Sequence, residues 1–144
     1  MKIKFKKLHK DAMAPKFAYK TDAGADLTAV SVDFSRDNQI IYGTGISAEI
    51  PEGMVGLIFP RSSIRDYDLF MSNSVGVVDS GYLGEIMVTF NHVGRNEHDL
   101  DKIYKVGDRI AQLVVIPVPL TKYVEVDELS ETSRGTDGHG SSGK

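Results

Sequence analysis

One short segment sets a single acid and a single aromatic ring between two apolar runs. Residues 76–88 read GVVDSGYLGEIMV, so Asp79 closes the first run and Tyr82 stands just before the second. Asp-Ser-Gly is a common turn sequence, and the pattern predicts a β-hairpin with both side chains at its mouth. A carboxylate fixed there can act as a general base, and the ring beside it can pack on a sugar or a base. An ordinary turn without chemistry fits these residues equally well.

Two further segments set charged and hydroxyl groups at favourable positions. Asp26 lies among small and apolar residues in 23–29, where a carboxylate needs a partner. It is expected to cap a turn, or to hold a hard cation directly or through water. Arg61, Ser62 and Ser63 follow a proline that ends a strand, and hydroxyls with backbone N–H groups there form an anion site. The alternative is that Ser62 or Ser63 caps a short helix and Arg61 is exposed.

Two amide side chains are candidates for ligand contacts. Gln112 interrupts the apolar run 110–116, so its amide must find partners, either within the fold or in a ligand or second subunit. Asn73 carries a donor and an acceptor that match a pyrimidine edge, and it can equally close a turn. Both interpretations stay open for each amide.

The last residues, 130–144, are rich in glycine, serine and threonine, which is typical of a disordered tail. Glycines space Arg134, His139, Ser141 and Ser142, and these side chains with nearby backbone N–H groups can wrap a phosphate. The other histidines have no metal-ligand spacing, so a zinc site is not expected.

Composition restricts the partners and the compartment. The chain has 144 residues, with 41% hydrophobic and 26% charged residues, as in an ordinary single-domain protein. A net charge of −3 gives no field that attracts polyanions, so a nucleic-acid partner is not expected. No apolar run reaches the ~20 residues of a membrane span, so a membrane partner is not expected either. The absence of cysteine excludes disulfides and thiolate metal sites and favours a reducing cytoplasm.

Short apolar or alternating segments recur between Gly and Pro turn signals, and long helical periodicity is absent. This pattern predicts an all-β barrel or sandwich. A first strand is expected at the N-terminus with Ile3 and Phe5 pointing inward, and one short helix is expected near residues 63–69. The other predicted strands are residues 44–50, 54–59, 75–78, 85–90, 109–116 and 122–126.

Taken in order, these segments resemble the five motifs of the trimeric deoxyuridine triphosphate nucleotidohydrolases (dUTPases). The resemblance implies a jelly-roll-like β-barrel in residues 1–129 and a mobile tail, residues 130–144, that closes a neighbouring subunit's active site. It also implies a homotrimer in which each site takes motifs from all three subunits. The segments that carry the resemblance are residues 23–27, 60–63, 73–85, 107–112 and 134–143.

The resemblance further implies hydrolysis of dUTP to dUMP and pyrophosphate with Mg2+. Such a reaction limits uracil incorporation into DNA and supplies dUMP for dTMP synthesis. The family pattern assigns Asp79 to deprotonating the water that attacks the α-phosphate and Asp26 to holding Mg2+ through water. The implied substrate contacts are Arg61, Ser62 and Gln112 at the phosphates, Asn73 at uracil, Tyr82 at the deoxyribose, and Arg134, Ser141 and Ser142 at the γ-phosphate, with Ser63, Gly76, Met87 and Gly140 completing the set.

The chain departs from the family pattern at His139, where an aromatic residue, most often Phe, usually covers the uracil. An imidazole can stack there, although with less area. Phe90 is the alternative ring, because it ends the second strand of the same predicted hairpin.

Two other functions compete with dUTP hydrolysis. The dCTP deaminases share the fold and part of the hairpin pattern, but they have a glutamate general base at the position that corresponds to Thr89. Ammonia release from dCTP would identify that activity. The second alternative is a nucleotide-binding module read by a regulatory protein partner, with the tail as an order–disorder switch.

Overall fold

Strands form where apolar residues alternate with polar ones or run together, and Gly and Pro residues end them. The computed structural model describes residues 1–36, 38–93 and 101–138. One 3-10 helix, Ser62–Asp66, lies within these ranges. The strands are β1 (Lys4–Lys7), β2 (Ala25–Thr28), β3 (Ser31–Arg36), β4 (Gln39–Gly43), β5 (Ile46–Glu49), β6 (Met54–Pro60), β7 (Leu69–Met71), β8 (Gly76–Val78), β9 (Met87–His92) and β10 (Arg109–Pro117).

Two antiparallel four-stranded sheets enclose the core. Their strand orders are β2-β10-β6-β8 and β3-β4-β9-β7, while β1 and β5 form a separate two-stranded sheet. This arrangement confirms the predicted all-β, jelly-roll-like class. The buried residues of the core include Leu27, Ile58 and Leu113 from the first sheet and Tyr42, Val88 and Phe90 from the second.

An aromatic cluster fills the centre of the core. Phe90 is fully buried, with its ring centroid 5.8 Å from that of Tyr42 and 5.5 Å from that of Tyr104. Tyr104 also packs on Tyr67, at 4.1 Å, just beyond the 3-10 helix. The expectation that Phe90 covers uracil is therefore wrong. Side chains alternate along β9, so Phe90 points inward together with Val88, and a ring without exposed surface cannot touch a ligand.

Buried tyrosine hydroxyls make the fold sensitive to alkali. Tyr42 Oη donates to the carbonyl of Tyr104 at 2.8 Å. Burial raises the pKa of the Tyr42 phenol, and likewise the pKa of the Tyr104 phenol, above the ordinary value of 10.0. Above pH ~10 the unfolded chain loses protons that the folded chain keeps. The free energy of unfolding therefore falls as the pH rises, by up to ~1.4 kcal/mol per pH unit for each phenol that stays protonated.

Tyr42→Phe is expected to reduce this alkaline slope, because it removes one of the two buried phenols. Urea unfolding at a series of pH values between about 9 and 11 measures the slope for both proteins. Equal slopes would mean that Tyr42 already ionises in the folded state, contrary to its burial.

The segment that carries Asp79 connects the two sheets and is not the predicted hairpin. β8 pairs with β6, whereas β9 pairs with β4 and β7. The tight turn itself is present, because the Tyr82 N–H donates to the Asp79 carbonyl at 3.0 Å. The two strands are neighbours in sequence, but each pairs with a strand from elsewhere in the chain.

Several local predictions also fail, in whole or in part, for physical reasons. The short helix predicted near residues 63–69 is present but spans only Ser62–Asp66, because Leu69 is buried and pairs with His92 as the first residue of β7. Residues 122–126 form no strand among the described residues, and Tyr123 is 93% exposed. Phe5 does not point into the core and stays 45% exposed, since β1 pairs only with β5 at the margin of the fold.

Within the described ranges, none of the helices has the length and apolar character needed to cross a membrane.

Candidate functional site

A carboxylate between two arginines lies on the first sheet. Asp26 belongs to β2, and its side chain is only 14% exposed. Its Oδ1 accepts from Arg61 Nε at 2.8 Å, and its Oδ2 accepts from Arg109 Nη1 at 3.0 Å. The carboxylate thus has the charged partners that its burial requires. The expectation that it caps a turn is wrong, because Asp26 lies inside a strand.

Strand register brings these groups together. Gln112 of β10 lies opposite Asp26 of β2 and also opposite the end of β6, which leads directly into Arg61. Arg61 Nη1 also donates to Ser63 Oγ at 3.3 Å. Arg61 itself occupies the N-cap position, without a side-chain cap bond, and its side chain is 24% exposed. The alternative of a serine cap with an exposed arginine is therefore wrong.

Gln112 has a partner and faces a surface depression. Its Nε2 donates to the carbonyl of Pro60 at 3.3 Å, as a half-buried amide requires. Guanidinium, hydroxyl and amide donors around one depression suit an anion with several oxygens, such as a phosphate. The depression has a volume of about 390 Å³ and is lined by Gln112 together with Tyr19, Asp22, Gly24, Asp26, Arg61 and Ser62, among others. We call it the cationic depression after the Arg61 guanidinium, although the carboxylates of Asp22 and Asp26 also line it.

Because Gly24 has no side chain, the Gln112 side chain can pack directly against its backbone. A Cβ at this position would lie 2.6 Å from Gln112 Oε1 and 3.1 Å from its Cδ. Gly24→Ala is therefore expected to displace the flexible amide end from the Pro60 carbonyl and to lower the free energy of unfolding by ~0.5–1.5 kcal/mol, the value of that one hydrogen bond. Urea unfolding measures the loss. Gly81→Ala is the control, because a Cβ there meets nothing within 4 Å; equal losses in the two variants would contradict the argument.

A second depression, of about 180 Å³, lies beside β8 and the following connection. It is lined by Asn73, Gly76, Tyr82 and Met87, among others. A Cβ built on Gly76 would lie 3.5 Å from the Asn73 amide nitrogen, so this amide and the Gly76 backbone share one wall. The Asn73 amide thus lies beside the Gly76 backbone on this wall, and its donor and acceptor can bond to the edge of a flat polar ring. We call it the β8 depression.

The Tyr82 ring is held in a fixed position at this depression. Its Oη donates to the carbonyl of Glu85 at 2.8 Å, and the ring lies directly on Gly84, where a Cβ would be 2.6 Å from Tyr82 Cζ. The ring is 44% exposed, which leaves surface for a ligand. Asp79 is exposed at the start of the same turn.

The two depressions lie at different places along β6 and have no lining residue in common. Val78 pairs with Gly56, so Asp79 lies near the start of β6, whereas Arg61 follows its end. At ~3.3 Å per residue the two are roughly 15–20 Å apart along the strand. A single chain therefore does not bring Asp79 to the guanidinium that Asp26 holds.

Of the C-terminal candidates, Arg134 is described by the structure, and it lines neither depression. Arg134 is exposed, and its Nε donates to the carbonyl of Asp137 at 3.0 Å within its own loop. The remaining candidates, His139, Gly140, Ser141 and Ser142, lie outside the described residues.

Sequence reasoning missed two residues of the site. The sequence gives Arg109 no role, although it is the first residue of the strand that carries Gln112. Its position beside Asp26 follows only from the pairing of β2 with β10. Glu85 follows Gly84 in the Asp79 segment, and its Oε1 accepts from the Gly45 N–H at 2.8 Å. The only sequence signal for Glu85 is its position as an acidic residue between a glycine and an apolar run.

A magnesium ion here would be held by its waters and by substrate oxygens, because guanidinium and amide N–H groups cannot be its ligands. Among the described residues, no group of three or more His, Cys, Asp or Glu side chains is placed to hold a metal ion directly. Mg2+ commonly keeps several waters and uses one or two carboxylates plus phosphates. Asp26 fits such an outer position, because each of its oxygens accepts one arginine and retains a further lone pair.

Comparisons with known proteins agree on one family. The dUTPase family model matches residues 10–143. A deoxyuridine 5'-triphosphate nucleotidohydrolase of Nocardia farcinica is 44% identical over 144 residues, covering 98% of this chain and 85% of the relative. The corresponding protein of Gloeothece citriformis is 37% identical, covering 99% and 97%. The structure of the Staphylococcus bacteriophage 80alpha dUTPase with dUPNHPP has a TM-score of 0.82 at 29% identity and covers 99% of both chains.

Proposed function

The chain belongs to the dUTPase family of enzymes that hydrolyse dUTP, and from this premise we propose a division of labour among its residues. Asp79 acts as the general base that deprotonates the water attacking the α-phosphate, which yields dUMP and pyrophosphate. Its exposure at a tight turn supports this role, since a base must reach a water beside the substrate. The observation that carries the proposal is the cationic depression, which provides a binding surface for the phosphates. The same fold carries Asp79, the general base.

The cationic depression binds the triphosphate. Arg61, Ser62 and Gln112 contact phosphate oxygens, and Ser63 keeps the Arg61 guanidinium in place through its Oγ. Asp26 holds Arg61 and Arg109 as counter-ion, which keeps both guanidiniums ordered before the substrate arrives. Asp26 also holds Mg2+ through water. The metal, when bound, neutralises phosphate charge and favours departure of pyrophosphate.

The β8 depression binds the nucleoside. Asn73 and the backbone at Gly76 read the uracil edge, and a cytosine there would leave donors and acceptors unpaired at ~1–3 kcal/mol each. Tyr82 packs on the deoxyribose, so a ribose 2′-hydroxyl would collide with a ring that the Glu85 carbonyl holds. Met87 supplies an exposed apolar contact at the same opening.

We assign the active unit to a homotrimer with shared sites. The separation of Asp79 from Arg61 along β6 supports this, because both must reach one triphosphate. Residues 118–138 also lie exposed without strand or helix, as expected of a segment that packs on another copy. Its last part, with residues 139–144, closes a neighbouring site. Arg134, Gly140, Ser141 and Ser142 bind the γ-phosphate there, and His139 covers uracil.

The role in the cell follows from the products. Hydrolysis removes dUTP before polymerases incorporate uracil into DNA, and it supplies dUMP for dTMP synthesis. The chain has no cysteine, which suits action in a reducing cytoplasm.

Pyrophosphate release from dUTP tests the proposal, with dTTP, dCTP and UTP assayed in parallel and each with and without Mg2+. Fast release from dUTP alone, dependent on Mg2+, is the expected result. Bound but uncleaved dUTP would contradict the assigned chemistry. Ammonia release from dCTP would instead identify a deaminase, even though Thr89 occupies the position of the deaminases' glutamate general base.

A further inference from the structure

The connection between β8 and β9 carries Asp79 and Tyr82 yet belongs to neither sheet. Its backbone groups lie between a strand of the first sheet and a strand of the second. Backbone N–H and carbonyl groups in such a place need partners outside a strand ladder. The partners that hold this connection therefore determine where the base and the ring stand.

Most of these partners come from β5 and the two residues before it. Ser47 Oγ donates to the carbonyl of Leu83 at 2.7 Å, and Thr44 Oγ1 donates to the carbonyl of Ile86 at 2.7 Å. The Ile86 N–H donates to the Ile46 carbonyl at 2.8 Å. The Gly45 N–H donates to Glu85 Oε1 at 2.8 Å, and the Thr44 N–H donates to the Ile86 carbonyl at 3.3 Å, so five bonds join the two segments.

Burial of the two hydroxyls indicates that these bonds are a built feature. Thr44 and Ser47 are only 1% and 7% exposed. A hydroxyl removed from water costs free energy unless it is hydrogen-bonded. Both of these donate to the same short connection. The Ser47 hydroxyl bonds the Leu83 carbonyl, so an apolar residue at position 47 would remove that bond, whereas the Ile86 carbonyl also accepts from the Thr44 N–H at 3.3 Å.

The bonds lie on both sides of the glycine under the tyrosine ring. Ser47 holds Leu83, the residue before Gly84, while Gly45 and Thr44 hold the two residues after it. The Tyr82 hydroxyl in turn donates to the Glu85 carbonyl inside this fixed stretch. A shift of the Leu83 backbone therefore moves the ring relative to the depression that it borders.

We propose that Ser47 is a positioning residue, which acts through the Leu83 carbonyl to set the Tyr82 ring and the turn that carries Asp79. Thr44 supports the far end of the same connection through Ile86. The inference rests on the proposed function, because the ring's position matters through the sugar that packs on it. Ser47 itself touches no substrate.

Ser47→Ala tests this role by removing one hydroxyl and nothing else. The expected result is about a tenfold fall in kcat/KM for dUTP, together with a several-fold loss of preference for dUTP over UTP. Amide hydrogen exchange should also accelerate at Tyr82 and Ile86, whose N–H groups donate to the Asp79 and Ile46 carbonyls, but not in the core of β10. Exchange needs no turnover, so it reports on the connection even if dUTP hydrolysis itself fails.

Tyr42→Phe is the matched control. It also removes a buried hydroxyl that donates to a backbone carbonyl, at 2.8 Å, but in the core and away from the connection. It should lower stability without changing the dUTP-to-UTP ratio. Thr44→Val, which keeps the side-chain volume, provides a second variant should Ser47→Ala not fold. Wild-type ratios and wild-type exchange rates in Ser47→Ala would overturn the proposal, whereas an inactive wild-type protein would overturn the proposed function instead.

Discussion

An Asp79→Asn variant is expected to bind dUTP normally and to lose turnover by at least ~10²-fold, since loss of a general base typically costs that much or more. The amide keeps the size of the side chain and leaves the turn bond from the Tyr82 N–H to the residue 79 carbonyl in place. It cannot take a proton from water. Single-turnover pyrophosphate release gives the chemical step, and calorimetric titration with a non-hydrolysable dUTP analogue gives the affinity.

Glu52→Gln is the control for this prediction, because Glu52 is likewise exposed in a turn but lies in a different loop. It should keep wild-type turnover. Weakened binding with normal turnover in Asp79→Asn would contradict the assigned role and would make Asp79 a binding residue.

A mixture of two inactive variants is expected to regain activity. If Asp79 of one subunit and Arg61 of another serve the same substrate, then Asp79→Asn and Arg61→Ala inactivate complementary halves of a site. In trimers formed from an equal mixture, about a quarter of the sites combine an intact Asp79 with an intact Arg61. Arg61→Ala should still fold, because Arg109 remains paired with Asp26. Co-refolding followed by the pyrophosphate assay measures the recovery.

Each variant refolded alone provides the baseline for this experiment. Differently tagged copies that purify together show that mixed assemblies formed. Mixed assemblies without any gain in activity would mean that each site lies within one chain, in conflict with the spacing along β6.

The pattern of apolar and polar residues predicts strand positions well where a single apolar or alternating run forms the strand. The apolar and alternating runs at β5, β6 and β10 appear nearly within the expected bounds. The same period of two, applied to β9, would have turned Phe90 inward with Val88 and removed it from the site. Phe90 is a candidate for the site only if the segment forms a hairpin, and the two strands do not pair with each other.

Long-range pairing could not be derived from the sequence. β8 pairs with β6 and β9 pairs with β4, strands that lie far away in the chain, whereas the local pattern of the Asp79 segment predicts a hairpin. The pairing of Arg109 with Asp26 likewise requires the β2–β10 register. Residues 122–126 have a strand-like pattern without a strand beside them in the described chain, and a pattern cannot indicate whether its partner lies in another copy.

If one site takes Asp79 and Arg61 from different chains, as we propose, the spacing along β6 also links nucleotide binding to assembly by mass action. A nucleotide that touches both the start of β6 in one chain and its end in another binds only when the chains are together. Ligand that binds the assembled form alone stabilises it by RT ln(1 + [L]/Kd), or about 2.7 kcal/mol at a hundredfold excess over Kd. Dilution should therefore dissociate the free protein before the nucleotide-bound one, and the specific activity of very dilute protein should rise with substrate concentration beyond simple saturation.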